Sequence, residues 1–168
     1  MPEVWLRGAI PGVPPPLMPV VHSLLQVREE IEAIVPSLSA EDMRARPGGA
    51  ASIAFHLSHL AGSLDRLLTY ARGEALAAAQ VAHLDAEESP DLDAPAALLR
   101  LALAAIDSAL VQVRSTPIDT LHEPRRVGRA ALPSTVGGLL FHAAEHAQRH
   151  AGQIATTAKI VKCVFDPH

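Results

Sequence analysis

An all-α protein, a four-helix bundle with long connections, is what this chain of 168 residues predicts. Three observations lead there. Hydrophobic residues make up 49% of the sequence but aromatic ones only 3%. A core of Ala, Leu, Ile and Val without rings favours packed helices over a β-sandwich. Four segments repeat their apolar residues at three- and four-residue intervals, the spacing of one helical face. No stretch sustains a two-residue alternation, and no segment repeats another. A single domain, residues 1–168, accommodates a chain of this length.

The elements follow in order. Six of the 14 prolines lie within the first 19 residues, so residues 1–16 are expected to form an extended arm. Trp5 and Leu6 give it an apolar hook that should dock on the body. A first helix is expected from Leu17 to Val35, with Val20, Leu24, Val27, Ile31 and Ile34 on one face and Arg28, Glu29 and Glu30 on another. Pro36 closes it. Ser39-Ala40-Glu41-Asp42 resembles a capping box for a short turn, and Arg46-Pro47-Gly48-Gly49 reads as a loop. The second helix starts near Ser52 and ends around Gly73, its stripe formed by Ile53, Leu57, Leu60, Leu64 and Leu67. The acidic run from Asp85 to Asp93 reads as a solvated loop. A third helix spans Pro95 to Val113 through Leu99, Leu103, Ile106 and Leu110, and Pro117 ends the segment. Residues 118–133, with Arg125, Arg126 and Arg129 as a solvated charge run, read as irregular with room for a short extended piece. Ser134 and Thr135 are then candidate N-caps for a fourth helix running to about Val161.

Composition also excludes functions. A net charge of −4 gives no basic face to neutralise phosphates, so no nucleic-acid partner is expected. The lone Cys163 excludes an internal disulfide and favours a reducing compartment. Met1-Pro2-Glu3 lacks the basic and apolar regions of a signal peptide, and no apolar run reaches the ~18–20 residues that span a bilayer. A cytoplasmic protein without a membrane partner is expected. Neither a Gly-rich phosphate loop nor a Ser-His-Asp ordering is present.

The histidines carry the chemical signal. His56 and His59 fall on the second helix, and His142, His146 and His150 on the fourth. With Leu139 as the zero of the wheel, His146 and His150 lie roughly 20° to either side, within a stripe of Ala143, Ile154 and Val161. His142 lies on the flank. A buried imidazole must find partners for two ring nitrogens, and a divalent ion supplies one of them. The helix-four trio cannot close on one ion alone, because its ends are ~12 Å apart along the axis. A third ligand would therefore come from the second helix. There periodicity favours His56, roughly 60° from the stripe centre, over His59 at roughly 120°. Glu145 points about a quarter turn from His146 and reads as a surface charge, with a supporting role toward a ligand imidazole as the alternative. Gly152, inside the fourth helix, suggests a close approach by a helix or a ligand. His22, His83, His122 and His168 have no partner spacing and receive no role.

Ser52-Ile53-Ala54-Phe55-His56-Leu57-Ser58-His59-Leu60 resembles the second-helix motif of the DinB-like family, grouped with the YfiT proteins. His146-Ala147-Gln148-Arg149-His150-Ala151-Gly152-Gln153 is similar to its closing motif. The resemblance extends over roughly residues 17–162. Ala151 stands where the family usually has Arg, and the tryptophan common before the helix-two serine is absent. The resemblance implies a three-histidine divalent-metal site formed by His59, His146 and His150, with zinc or nickel as the ion. It also implies a metal-dependent hydrolase or thiol S-transferase, a homodimer, and a small-molecule or low-molecular-weight thiol substrate. A non-catalytic stress-response or binding module with a structural or vestigial metal site is the alternative.

Overall fold

A computed structural model describes residues 1–87 and 95–165. Six α-helices are present among them: α1 (Met18–Ile34), α2 (Ala40–Arg44), α3 (Ile53–Ala71), α4 (Ala78–Ala86), α5 (Pro95–Ser115) and α6 (Val136–Phe165). The four long ones, α1, α3, α5 and α6, form the expected bundle. A small antiparallel hairpin, β1 (Pro124–Val127) and β2 (Leu132–Thr135), precedes α6.

Local chemistry accounts for the starts of these helices. Ser52 accepts a hydrogen bond from the Phe55 amide at 3.2 Å and begins α3. Ser39 and Asp42 form the capping box of α2, and the Ser39 amide donates to the Asp42 carboxylate at 2.8 Å. Thr135, not Ser134, caps α6, taking the Gly138 amide on its Oγ1 at 3.0 Å.

α3 packs on both α5 and α6, and α1 packs on the same two helices. The successive long helices α1 and α3 therefore sit on a diagonal, and the connection between them crosses the end of the bundle. α2 lies within that connection and packs against α3 and α6. The core between the helices is largely aliphatic: Leu24, Ile31, Leu57, Leu60, Leu64, Ile106, Leu140 and Ile154 are all fully buried. Burial of this kind stabilises by ~1.5–3 kcal/mol per large side chain.

Several expectations are corrected here. The arm is extended only in part, being interrupted by 3-10 turns at Val4–Arg7 and Pro15–Leu17, and it docks, but not through its hook. Val4, Val13 and Leu17 are buried, while Trp5 and Leu6 stay largely exposed and the Trp5 indole donates to Glu3. The arm is further held by the Val4 amide on Gln26 and by the Arg7–Glu29 ion pair.

α4 is not among the expected helices: its alanines favour a helix, but its nine residues carry no apolar stripe that would mark one. The solvated acidic loop is corrected in part: Glu87 is buried, and residues 88–94 lie outside the described residues. The hairpin begins within the irregular segment and runs past it to Thr135, and Arg125 in it is not a solvated charge. Its Nε donates to the Ala71 carbonyl at the end of α3 at 2.8 Å. Gly152 faces open space, so no close approach explains it.

The expectation about apolar length also changes. Ala96–Ser115 of α5, with mean hydropathy 1.7, is long and apolar enough to cross a membrane by length and composition alone. In the fold it is a bundle helix packed on α1 and α3.

Candidate metal centre

Helical register builds the site from two directions. On α6, His146 and His150 are one turn apart and project from the face that packs on α3. On α3, His59 faces them, and its Nε2 lies 3.0 Å from Nε2 of His146. Nε2 of His150 lies 3.2 Å from the same His146 atom. One ligand atom from each of His59, His146 and His150 falls within 4.8 Å of the others. Adjacent nitrogens on a tetrahedral ion with bonds of ~2.0–2.1 Å are about 3.3 Å apart. The two short separations match that edge, and the donor set suits a divalent ion that accepts imidazole. These residues fit a metal.

His56 does not join the triad. It is buried, and its Nδ1 lies 2.9 Å from Nδ1 of His150, on the side of that ring away from the triad. Periodicity thus identified the more buried of the two α3 histidines, whereas the family register identified the one whose nitrogen reaches the cluster. A turn of helix crossing its neighbour at an angle can bring a flanking residue to the seam.

His142 stays on the exposed flank, bonded to Glu145 at 2.6 Å. Glu145 also pairs with Arg149 along the same surface, so it serves as the surface charge and does not reach a neighbouring helix.

Burial sets the protonation of the cluster. It pushes the His150 imidazole down to about 3, with His146, His59, His56 and Arg149 adding to the effect. His146 is pushed down to about 4, again chiefly by burial and then by His59 and Arg149. Burial, followed by His59, also lowers His56. At neutral pH these rings are neutral, the form that donates a lone pair to a metal.

Three residues around the cluster were not found from sequence. Phe55 stacks on His59 with ring centroids 5.4 Å apart and planes 13° from parallel, and forms an apolar wall. Glu87 accepts from His59 Nδ1 at 2.7 Å and pairs with Arg66 at 2.5 Å. His83, one turn before Glu87, donates from Nε2 to the Ser58 carbonyl at 3.1 Å and lies 3.7 Å from the Glu87 carboxylate. Burial pushes the Glu87 carboxyl up, but the bonds and charges of His59 and Arg66 outweigh it and hold it below the ordinary range. The helical spacing of the acidic run could not reveal this, because Glu87 reaches the site only once α4 folds back on α3.

Fold and cluster together define a class: a four-helix bundle with three convergent imidazoles on two of its helices. The chain belongs to the DinB superfamily, whose family model matches residues 23–154. No curated protein matches the sequence.

Proposed function

We propose that the protein is a metal-dependent enzyme whose His59, His146 and His150 hold a divalent ion, zinc or nickel, and that it acts as a hydrolase or thiol S-transferase. The observation that carries this reading is the convergence of three imidazoles at metal-ligand spacing. An ion held by neutral ligands keeps its charge, and so acidifies bound water or a thiol and polarises a carbonyl. The chain's own contribution is to orient the three rings, keep His146 and His150 unprotonated by burial, and line one side of the centre with Phe55. A low-molecular-weight thiol or another small molecule is the substrate class that fits. The lone exposed Cys163 accords with a reducing cytoplasm.

The test is metal content per chain, after purification without chelator and after titration with zinc or nickel. Wild type should take up to one ion. His59→Ala, His146→Ala and His150→Ala should each lose most of it, while His56→Ala and His142→Ala should retain most of it. A wild type that takes up neither ion overturns the reading. Turnover of thiol and ester substrates by the loaded protein, absent from His150→Ala, would then identify the reaction.

Self-association as a homodimer accompanies this proposal. Leu101 and Val111 leave apolar surface exposed on α5, and a second copy is the simplest cover. Ultracentrifugation at micromolar concentration should show twice the chain mass, and a sole 17.7 kDa species would contradict it.

A further inference from the structure

We infer that Glu87 is a positioning residue that fixes the His59 ring as the Nδ1–H tautomer, leaving the Nε2 lone pair aimed at the cluster, and that Gly62 provides the notch in which this carboxylate sits. The inference deepens the metal reading and rests on it for its affinity arm alone.

The geometry is specific. An imidazole that ligates through Nε2 must carry its hydrogen on Nδ1, and that hydrogen needs an acceptor when the ring is partly buried. Glu87 Oε2 stands 2.7 Å from His59 Nδ1. The carboxylate is itself immobilised. Its side chain is 3% exposed, Arg66 takes both oxygens at 2.5 and 3.3 Å, and His83 approaches one of them. Arg66 neutralises the buried charge, so Glu87 is present as a fixed acceptor without adding an unpaired anion to the core.

The notch explains how the carboxylate comes so close to α3. Gly62 lies one turn beyond Ser58 on the same helix, and a Cβ there would collide with the Glu87 carboxylate, the His83 ring and the Arg66 guanidinium. Those are the ends of flexible side chains, so a methyl group would displace them without breaking the backbone. A glycine in a helix interior is less favourable than alanine, and here that penalty is offset by a function. It also gives Gly62→Ala a special value as a probe: helix propensity improves while the acceptor is pushed off His59.

The full chain, stripped with chelator, is labelled with nitrogen-15 and observed near about pH 8, above the usual imidazole range. The His59 side-chain shifts report which nitrogen bears the hydrogen. Wild type should show Nδ1–H. Glu87→Ala and Gly62→Ala should move the hydrogen toward Nε2, and Glu87→Gln, whose amide oxygen still accepts, should retain much of the wild-type state. Zinc titration should give losses of about 10- to 100-fold for Glu87→Ala and Gly62→Ala, and less for Glu87→Gln. Unchanged thermal melting of Gly62→Ala separates positioning from a general loosening of the fold.

A wild-type His59 with its hydrogen on Nε2 overturns the inference. So does a Glu87→Ala protein that keeps the tautomer and binds zinc within about threefold of wild type. If Glu87→Ala fails to fold, wild type, Glu87→Gln and Gly62→Ala decide the matter by the same shifts. Wild type showing Nδ1–H but taking up no zinc would sustain the Glu87 assignment and overturn the metal reading instead.

Discussion

His59 and His146 present the same atom to the same point, yet the groups behind their rings are opposites. Behind His59 stands a buried carboxylate, locked by Arg66, which accepts the ring hydrogen. Behind His146 stands an exposed guanidinium: Arg149 Nη2 approaches Nδ1 at 3.2 Å, and it can only donate. His150 falls between them, with the neutral His56 ring 2.9 Å from its Nδ1. The α3 side of the centre is therefore prearranged for ligation through Nε2. On the α6 side, His146 must hold its hydrogen on Nδ1 when it ligates, and Arg149 must then turn to Glu145, which already accepts from it. Ligand geometry and ligand support are separable: for His59 they come from different elements, and for His146 from one helix. Helix register sets where Nε2 points, and the group behind each ring sets which nitrogen carries the hydrogen.

The two arginines offer the largest contrast. The Arg66 side chain is 10% exposed and that of Arg149 is 60% exposed. Arg66→Ala leaves the Glu87 carboxylate buried without its cation, which should cost about 3–5 kcal/mol of stability. Arg149→Ala removes a surface partner and should change stability by no more than ~0.5 kcal/mol. Urea midpoints of the two variants measure the gap, and equal midpoints would mean that the two sides do not differ as described.

Acid should act on the cluster next. His146 and His150 titrate near 6.5 in the unfolded chain but are held down to about 4 and about 3 in the fold. As pH falls, the unfolded state takes up these protons first, so stability present above ~6.5 is lost progressively below it. The loss continues until the folded values are passed. Chelator-treated protein should therefore show a lower urea midpoint near about pH 5 than near about pH 7, and the double variant His146→Gln/His150→Gln should flatten that slope. A wild-type midpoint that stays level across the interval would contradict the assigned burial.

Removing the donor behind His146 by Arg149→Ala should raise the basicity of that ring and tighten zinc binding by up to about fivefold. Calorimetric titration against wild type reads this directly. Weaker binding in the variant would show that Arg149 supports the site from its exposed position.

Much of this architecture was legible from residues alone, for reasons that are local. The apolar stripes Val20–Val27–Ile31 and Ile53–Leu57–Leu60 specify helices because side chains three and four apart share a face, whatever lies opposite. Ser52 and Ser39 specify starts because a cap needs only its own next turn. The i, i+4 spacing of His146 and His150 likewise implies a common centre before any partner is known. The third member was not local. A helical wheel ranks His56 above His59, and only the way α3 crosses α6 brings the flanking ring to the seam. Only the tertiary structure assigned Glu87, which the sequence presents as one more acid in an acidic run. α4 must fold back on α3, into the space left by Gly62, before that carboxylate meets His59 and Arg66. Periodicity records which face of a helix is apolar, but not which distant group will stand behind it, because that is decided by packing across the bundle.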